Sequence, residues 1–331
     1  MEILTKPSKL WEPGTRLLNL VFFVLLFLVI PHVSAQKLES SDTSTILVVL
    51  SKPDASYEQV LAVLQKTVVA EGREDYRFRA VSIKAWGNEA NLLSTINPEL
   101  IVTVGTKAAE NVLSKRPEIP VLSILITDSA FSSITEKYYG SLNVALESGV
   151  SAIILGQPPS RSVRLAKLLV PDAVRTGVMV GPVSFHWIEQ IKDEIVNNKM
   201  EPNLIAIEPE DNPIHMIEPV IKNSDVFIPV PDSRLINIST ARWILQLSYR
   251  YKVPVIAYSK TYVQAGALAA VYSSPEDVAR QAANQILQGS VKSGVKGKKY
   301  SPEYFSVSLN RSVARNLNIQ LKDEHYYLKQ L

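Results

Sequence analysis

Cysteine is absent from the 331 residues, which excludes disulfides, thiolate catalysis and cysteine-ligated metal together. It also excludes a bacterial lipoprotein anchor, which is attached through a cysteine. Histidine is scarce. His32, His186, His215 and His325 lie far apart, without the close spacing of a metal set, so they read as packed or surface histidines. The glycine signatures of nucleotide sites, G-x-G-x-x-G and G-x-x-x-x-G-K-[ST], are missing. So are the G-x-S-x-G nucleophile elbow and the H-E-x-x-H zinc helix. Charge of one sign is lacking too: the formal net charge is +3, from interspersed residues, and no basic block argues for nucleic acid. The lysines at 292, 296, 298 and 299 read as a solvated loop, and Glu208, Glu210 and Asp211 as a solvated turn rather than a cation site. No cofactor, no metal and no enzymatic activity are expected.

Apolar runs of membrane-spanning length are also missing. Leu17–Ile30 is apolar over 14 residues, broken only by Asn19, against the roughly 20 a spanning helix needs. Lys6, Lys9 and Arg16 precede it, Pro31 ends it, and Val33 and Ala35 suit a signal peptidase. The reading is a signal peptide over residues 1–35, with the mature chain starting at Gln36 and carrying a net charge of about +2. An exported, cysteine-free, unanchored protein is most easily placed in a Gram-negative periplasm, since secreted eukaryotic proteins of this size more often use disulfides.

What the chain does have is alternation. Near-continuous apolar runs of strand length, Ser44–Ser51, Phe78–Ala85, Leu100–Thr106 and Pro120–Asp128, are separated by segments with helical spacing such as 56–69 and 107–114. That pattern implies a parallel sheet covered on both faces. A second series of the same kind runs from Thr176 through Asn203–Pro209, Asp225–Pro231 and Val253–Ser259. Ser151–Gln157 and Leu268–Ser273 read as crossings between the two series. The expectation is α/β, with two doubly wound parallel-sheet lobes joined by a multi-strand hinge. The first lobe takes residues 44–147 with about 268–294, and the second 148–267 with about 300–331.

In open α/β sheets ligands bind at the carboxyl ends of the strands, so polar residues there are the candidates. They are Ser51, Thr106 and Asp128 in the first lobe, with Thr127 beside them, and Ser184, Asp232 and Ser259 in the second. Thr106 opens a helix whose free N–H groups suit a carboxylate. Asp232, behind the strand VFIPVP, suits an ammonium group. Helix capping is the ordinary alternative for any single one of these residues, and it is compatible with a binding site. Tyr57, Phe185 and Tyr262 follow strand ends and suit stacking on a ligand.

The segments NPELIVTVGTKAAENV, IPVLSILITDS, VPDAVRTGVMVGP, Ser224–Ala270 and QAANQILQG, in that order, resemble the ABC-transporter substrate-binding proteins of the tryptophan/tyrosine type. The resemblance covers most of Thr45–Leu321. It implies a type I periplasmic-binding fold and a small-molecule ligand, amino acids and related compounds among the candidates. It also implies a membrane permease as partner and a monomer. Asp232 and Thr106 match the family pattern. The crossover 143–157 (NVALESGVSAIILGQ) lacks the glycine-serine-aspartate stretch of such proteins. That departure motivates an alternative, an exported sensory or scaffold module that signals through a partner protein.

Overall fold

The computed structural model describes residues 44–53, 55–208 and 210–331. The expected signal peptide and its cleavage point lie outside the described residues. The first part of the chain runs β1 (Ser44–Leu50), α1 (Ala55–Ala70), β2 (Tyr76–Ser82), α2 (Ile83–Trp86), α3 (Glu89–Ile96), β3 (Leu100–Val104), α4 (Thr106–Leu113), β4 (Val121–Ile126), α5 (Asp128–Tyr139), α6 (Leu142–Glu147) and β5 (Val150–Ile154). It then passes through α7 (Pro159–Leu169), β6 (Arg175–Val180), a 3-10 turn (Phe185–Trp187), α8 (Ile188–Asn197), β7 (Glu201–Ala206), α9 (Pro213–Lys222), β8 (Val226–Pro229), α10 (Ile238–Tyr251), β9 (Ile256–Ala257), α11 (Lys260–Ala265) and β10 (Ala269–Tyr272). α12 (Pro275–Leu287) and β11 (Lys299–Tyr300) return to the first part, and β12 (Ser306–Leu309), α13 (Arg311–Asn316) and α14 (Glu324–Gln330) end the chain in the second.

The first sheet has the order β11-β5-β4-β3-β1-β2 and is parallel throughout. In the second part, β7-β6-β8 is parallel, β9 and β10 are parallel, and β12 closes on β10 antiparallel. A bridge between Phe227 and Val255 joins these two ladders. The inner strands of each sheet are buried on both sides, which is why they read as continuous apolar runs. Successive residues of β1 divide between two cores: Ile46 and Val48 pack against α1 and α12, while Leu47 and Val49 pack with Trp86, α4 and α5. The second sheet repeats this, with Val226 and Ile228 on one side and Phe227 on the other. The period of two follows from the pleat.

Several elements differ from the sequence expectation. Val150–Ile154, expected to cross to the second series, pairs with β4 and β11 in the first sheet. Ala269–Tyr272, expected to return to the first series, pairs with β9 and β12 in the second. An apolar run shows that a strand is buried but not beside which partner, so these assignments were beyond its pattern. The run Phe78–Ala85 stops as a strand at Ser82, and Ile83–Trp86 turns into a helix that buries Trp86, whose indole N–H donates to Asn111 O at 3.1 Å. Asp128 opens α5 rather than ending β4.

Candidate functional site

Helices that follow parallel strands begin at the carboxyl edge of the sheet, so each edge collects helix N-termini and the short turns leading into them. At the first edge, Gly105 joins β3 to α4 with φ +89°, a conformation L side chains rarely adopt. A Cβ there would stand 2.7 Å from Ser51 Oγ and 2.8 Å from the Tyr57 hydroxyl. Gly105 has no side chain to cap α4. Ser51, from the end of the neighbouring β1, does so instead, its Oγ accepting from the Ala108 N–H at 2.8 Å. The backbone N–H groups of Thr106 and Lys107 have no partner among the described residues, and Thr106 is exposed. This corner therefore ends in two open donors beside a hydroxyl, and neighbouring N–H groups of that kind suit a negatively charged or carbonyl oxygen.

Next along the same edge, β4 carries a register shift between Ser123 and Ile126, and Leu125 sits at φ +52°. A bulge of this kind re-aims the strand end. Thr127 caps α5, accepting from the Ala130 N–H at 3.2 Å. Asp128 Oδ1 accepts from Lys299 Nζ at 2.7 Å, and Asp128 Oδ2 lies 3.9 Å from His186 Nε2. His186 belongs to the turn after β6, so this approach brings the carboxyl edges of the two sheets face to face. The His186 Nδ1–H donates to Val183 O at 3.0 Å and fixes the ring.

The second edge is built differently. Asp232 is 4% exposed. Its Oδ2 accepts from Val183 N–H at 2.9 Å, Ser184 N–H at 2.8 Å and the Ser184 hydroxyl at 2.9 Å. Its Oδ1 accepts from the N–H groups of Arg234 at 2.9 Å and Leu235 at 3.2 Å. Ser184, also buried, accepts from the Gly181 N–H at 2.9 Å. Both carboxylate oxygens are thus occupied in tying the Gly181–Ser184 turn to the loop after β8. Such charge-assisted bonds are roughly twice as strong as neutral ones. Gly181 is where the carboxylate comes closest, for a Cβ there would be 2.7 Å from Asp232 Oδ2. The knot leaves Phe185, 51% exposed, and His186 projecting from the turn. Ser259 caps α11, accepting from the Tyr262 N–H at 3.2 Å.

The six sequence candidates thus fall into groups. Ser51 meets the N-terminus opened by Thr106, and Ser184 meets Asp232. Asp128 meets His186 and Lys299, neither of which the pattern singled out as a site residue. Ser259 stands apart as a cap. Of the aromatics, Tyr57 lies beside Ser51 and Gly105, and Phe185 is exposed on its turn. Tyr262 is buried, its hydroxyl without a partner among the described residues.

Three chain passages link the sheets, and their side chains are stitched together. Gln157 Nε2 donates to Ser273 Oγ at 2.8 Å, and Ser273 Oγ donates to Tyr304 O at 2.6 Å. Arg161 Nη1 donates to Gln157 Oε1 at 2.7 Å and Pro302 O at 2.9 Å, and the guanidinium stacks 3.9 Å from the Phe305 ring centre. Burial holds Arg161 below the usual arginine range. Nothing in the local pattern PPSRS separates this arginine from a surface one.

A family model described as ABC transporter substrate binding protein matches residues 46–328. No curated protein matches the chain. Among solved structures, a ligand-free, open substrate-binding protein with adhesive properties from Clostridium difficile is 17% identical, with a TM-score of 0.64, covering 85% of this chain and 96% of that one. An ABC domain from Streptococcus pneumonia, solved with L-Trp, is 17% identical, with a TM-score of 0.53, covering 87% and 98%. A conserved domain protein from Vibrio cholerae is 18% identical, again with a TM-score of 0.53, covering 87% and 98%. At these identities the likeness is one of fold.

Proposed function

We propose, because the chain belongs to the ABC transporter substrate-binding protein family, that it captures a small polar or amphipathic ligand between two lobes and delivers it to the permease of an ABC importer. It acts in the periplasm as a monomer, after export by a cleaved signal peptide, and carries out no chemistry of its own. The lobes are the two sheets with their flanking helices, and the ligand lies between their carboxyl edges. The observation that carries this reading is the approach of His186 to Asp128, which sets those edges opposite each other. Closure of one lobe on the other then encloses whatever the edges hold.

The residues divide by role. Thr106, with the open N–H groups of α4, takes a carboxylate or carbonyl oxygen of the ligand. Ser51 holds α4 in place for that contact, and Asp128 lines the same edge. Asp232 and Ser184 act by positioning: they fix the turn that presents Phe185 and His186. Ser259 does the same for α11.

Thermal unfolding of the purified protein, with and without the compound that native mass spectrometry finds bound after isolation from its own periplasm, tests the reading. The expected outcome is a ligand-dependent rise in melting temperature, with affinity reduced about tenfold by Thr106→Val, the loss of one ordinary hydrogen bond. A chain that carries no compound and responds to none overturns the proposal.

A further inference from the structure

Resting on the two-lobe reading above, though not on any ligand, we propose that Arg161 is a strut across the hinge, holding the lobes at the angle this structure shows. Each chain passage changes lobe at a definable point. In the first, the Leu155 N–H still donates to Ile126 O in the first sheet, and α7, whose Val163, Leu165 and Ala166 pack in the second core, opens at Pro159. In the second, Tyr272 pairs in the second sheet, and Ser274 already caps α12 on the first core. The third passage is held furthest. Gln281, 1% exposed on α12, donates from Nε2 to Ser301 O at 2.8 Å and accepts from the Glu303 N–H at 3.0 Å, as a neighbouring parallel strand would. Asn284 Nδ2 donates to the Tyr304 hydroxyl at 2.6 Å. Residues 301–304 therefore move with the first lobe, whereas Phe305 packs on the second core and Ser306 pairs with Tyr272.

The three changeover points are bonded to one another through Gln157, Ser273 and the Tyr304 carbonyl. Groups on the axis of a hinge shift least as it turns, so these bonds persist through rotation. Arg161 is placed differently. It moves with α7 and is backed by the Phe305 ring, both on the second-lobe side, yet Nη1 donates at 2.9 Å to Pro302 O, inside the stretch that α12 holds. Beside it, Ser306 Oγ to Asp277 Oδ2 at 3.5 Å is a longer crossing. Turning one lobe on the other pulls Arg161 from that carbonyl, and a half-buried guanidinium loses a charge-assisted bond. Through this bond the chain sets its resting angle, and with it the share of molecules ready to bind.

Because the chain lacks cysteine, one spin label can be set in each lobe, through Ser133→Cys in α5 and Asp193→Cys in α8, both exposed. Electron-resonance distances in the ligand-free protein then read the hinge angle with Arg161 in place and in Arg161→Met, which keeps the length and loses every donor. The expected result is that distances other than the parent's main one grow about tenfold in population, the worth of one bond from a charged donor, while unfolding stays cooperative. Hydrogen exchange at the Glu303 amide should be equally slow in both proteins, since Gln281 holds it. A purely structural arginine would lower the melting temperature and leave the distances alone. Unchanged distances, or a Glu303 amide that opens with the substitution, overturn the inference and leave capture standing. If Arg161→Met does not fold, Arg161→Gln, shorter and uncharged but still polar, is read by the same outcomes. Failure to bind any compound overturns capture and leaves the strut.

Discussion

The two sheet edges use the same residue types to opposite ends. At the first, Ser51 supplies one cap and stops there, so two N–H groups of α4 have no partner among the described residues. At the second, Asp232 and Ser184 satisfy nearly everything near them, and Asp232 alone accepts five hydrogen bonds. A strand-end carboxylate is therefore not in itself a ligand partner. Whether it binds or builds depends on how many local donors it can reach. Asp232 sits where two backbone turns converge on it, while Thr106 sits where glycine leaves a gap.

The difference is broken most severely at Asp232. Asp232→Ala removes an acceptor from five buried or half-buried donors and should cost about 3–5 kcal/mol, the range for breaking a buried charged network. Urea unfolding reads this directly. A variant as stable as the parent would return Asp232 to the ligand and contradict the building role. Gly105→Ala attacks the open edge instead. The strained φ and the approach to Ser51 Oγ and Tyr57 should cost about 2–3 kcal/mol and close the gap in which the α4 donors lie. Ligand-dependent stabilisation should then be lost beyond what the stability change explains. Ser51→Ala is milder, about 1 kcal/mol for a lost helix cap, with ligand affinity falling as α4 loosens.

Much of this architecture was legible. The β/α alternation, both sheets and the strand-end positions of Ser51, Thr106, Ser184, Asp232 and Ser259 follow from apolar runs and the polar residues after them. What was not legible depends on partners distant in sequence. Asp232 lies 48 residues from Ser184 and 49 from Val183, so nothing local shows that its Oδ2 is already occupied, although the turn that holds Oδ1 is made with Arg234 and Leu235. The stitching of Gln157, Ser273 and Tyr304 joins three passages whose sequences have nothing in common. His186 is the surface histidine the pattern suggests, but its approach to Asp128 was hidden because that residue comes from the other sheet. The crossover 143–157 hid a helix, Leu142–Glu147, since six residues are too few to show a period.

The smallest expected effect compares the two parts of the molecule once more. Among the described residues each buries one tyrosine hydroxyl without a hydrogen-bond partner, Tyr139 in the first core and Tyr262 in the second. Burial raises the pKa of both. Beside Tyr139 the Arg116 guanidinium, 5.1 Å from the ring centre, pulls back toward ionisation. Beside Tyr262 the edge-on ring of Tyr258 at 5.7 Å pushes further up. Below pH 10 both states of the protein hold these protons, and the hydroxyls contribute no pH dependence. Above it the unfolded chain releases them while the folded chain retains them, so stability falls as pH rises. Tyr262→Phe removes a buried, unsatisfied group and should raise stability near neutral pH by up to about 1 kcal/mol. It should also flatten the decline above pH 10 more than Tyr139→Phe does. Denaturant melts of both variants at pH 7 and pH 10.5 measure the two slopes. Equal flattening would show that Arg116 does not distinguish the two sites.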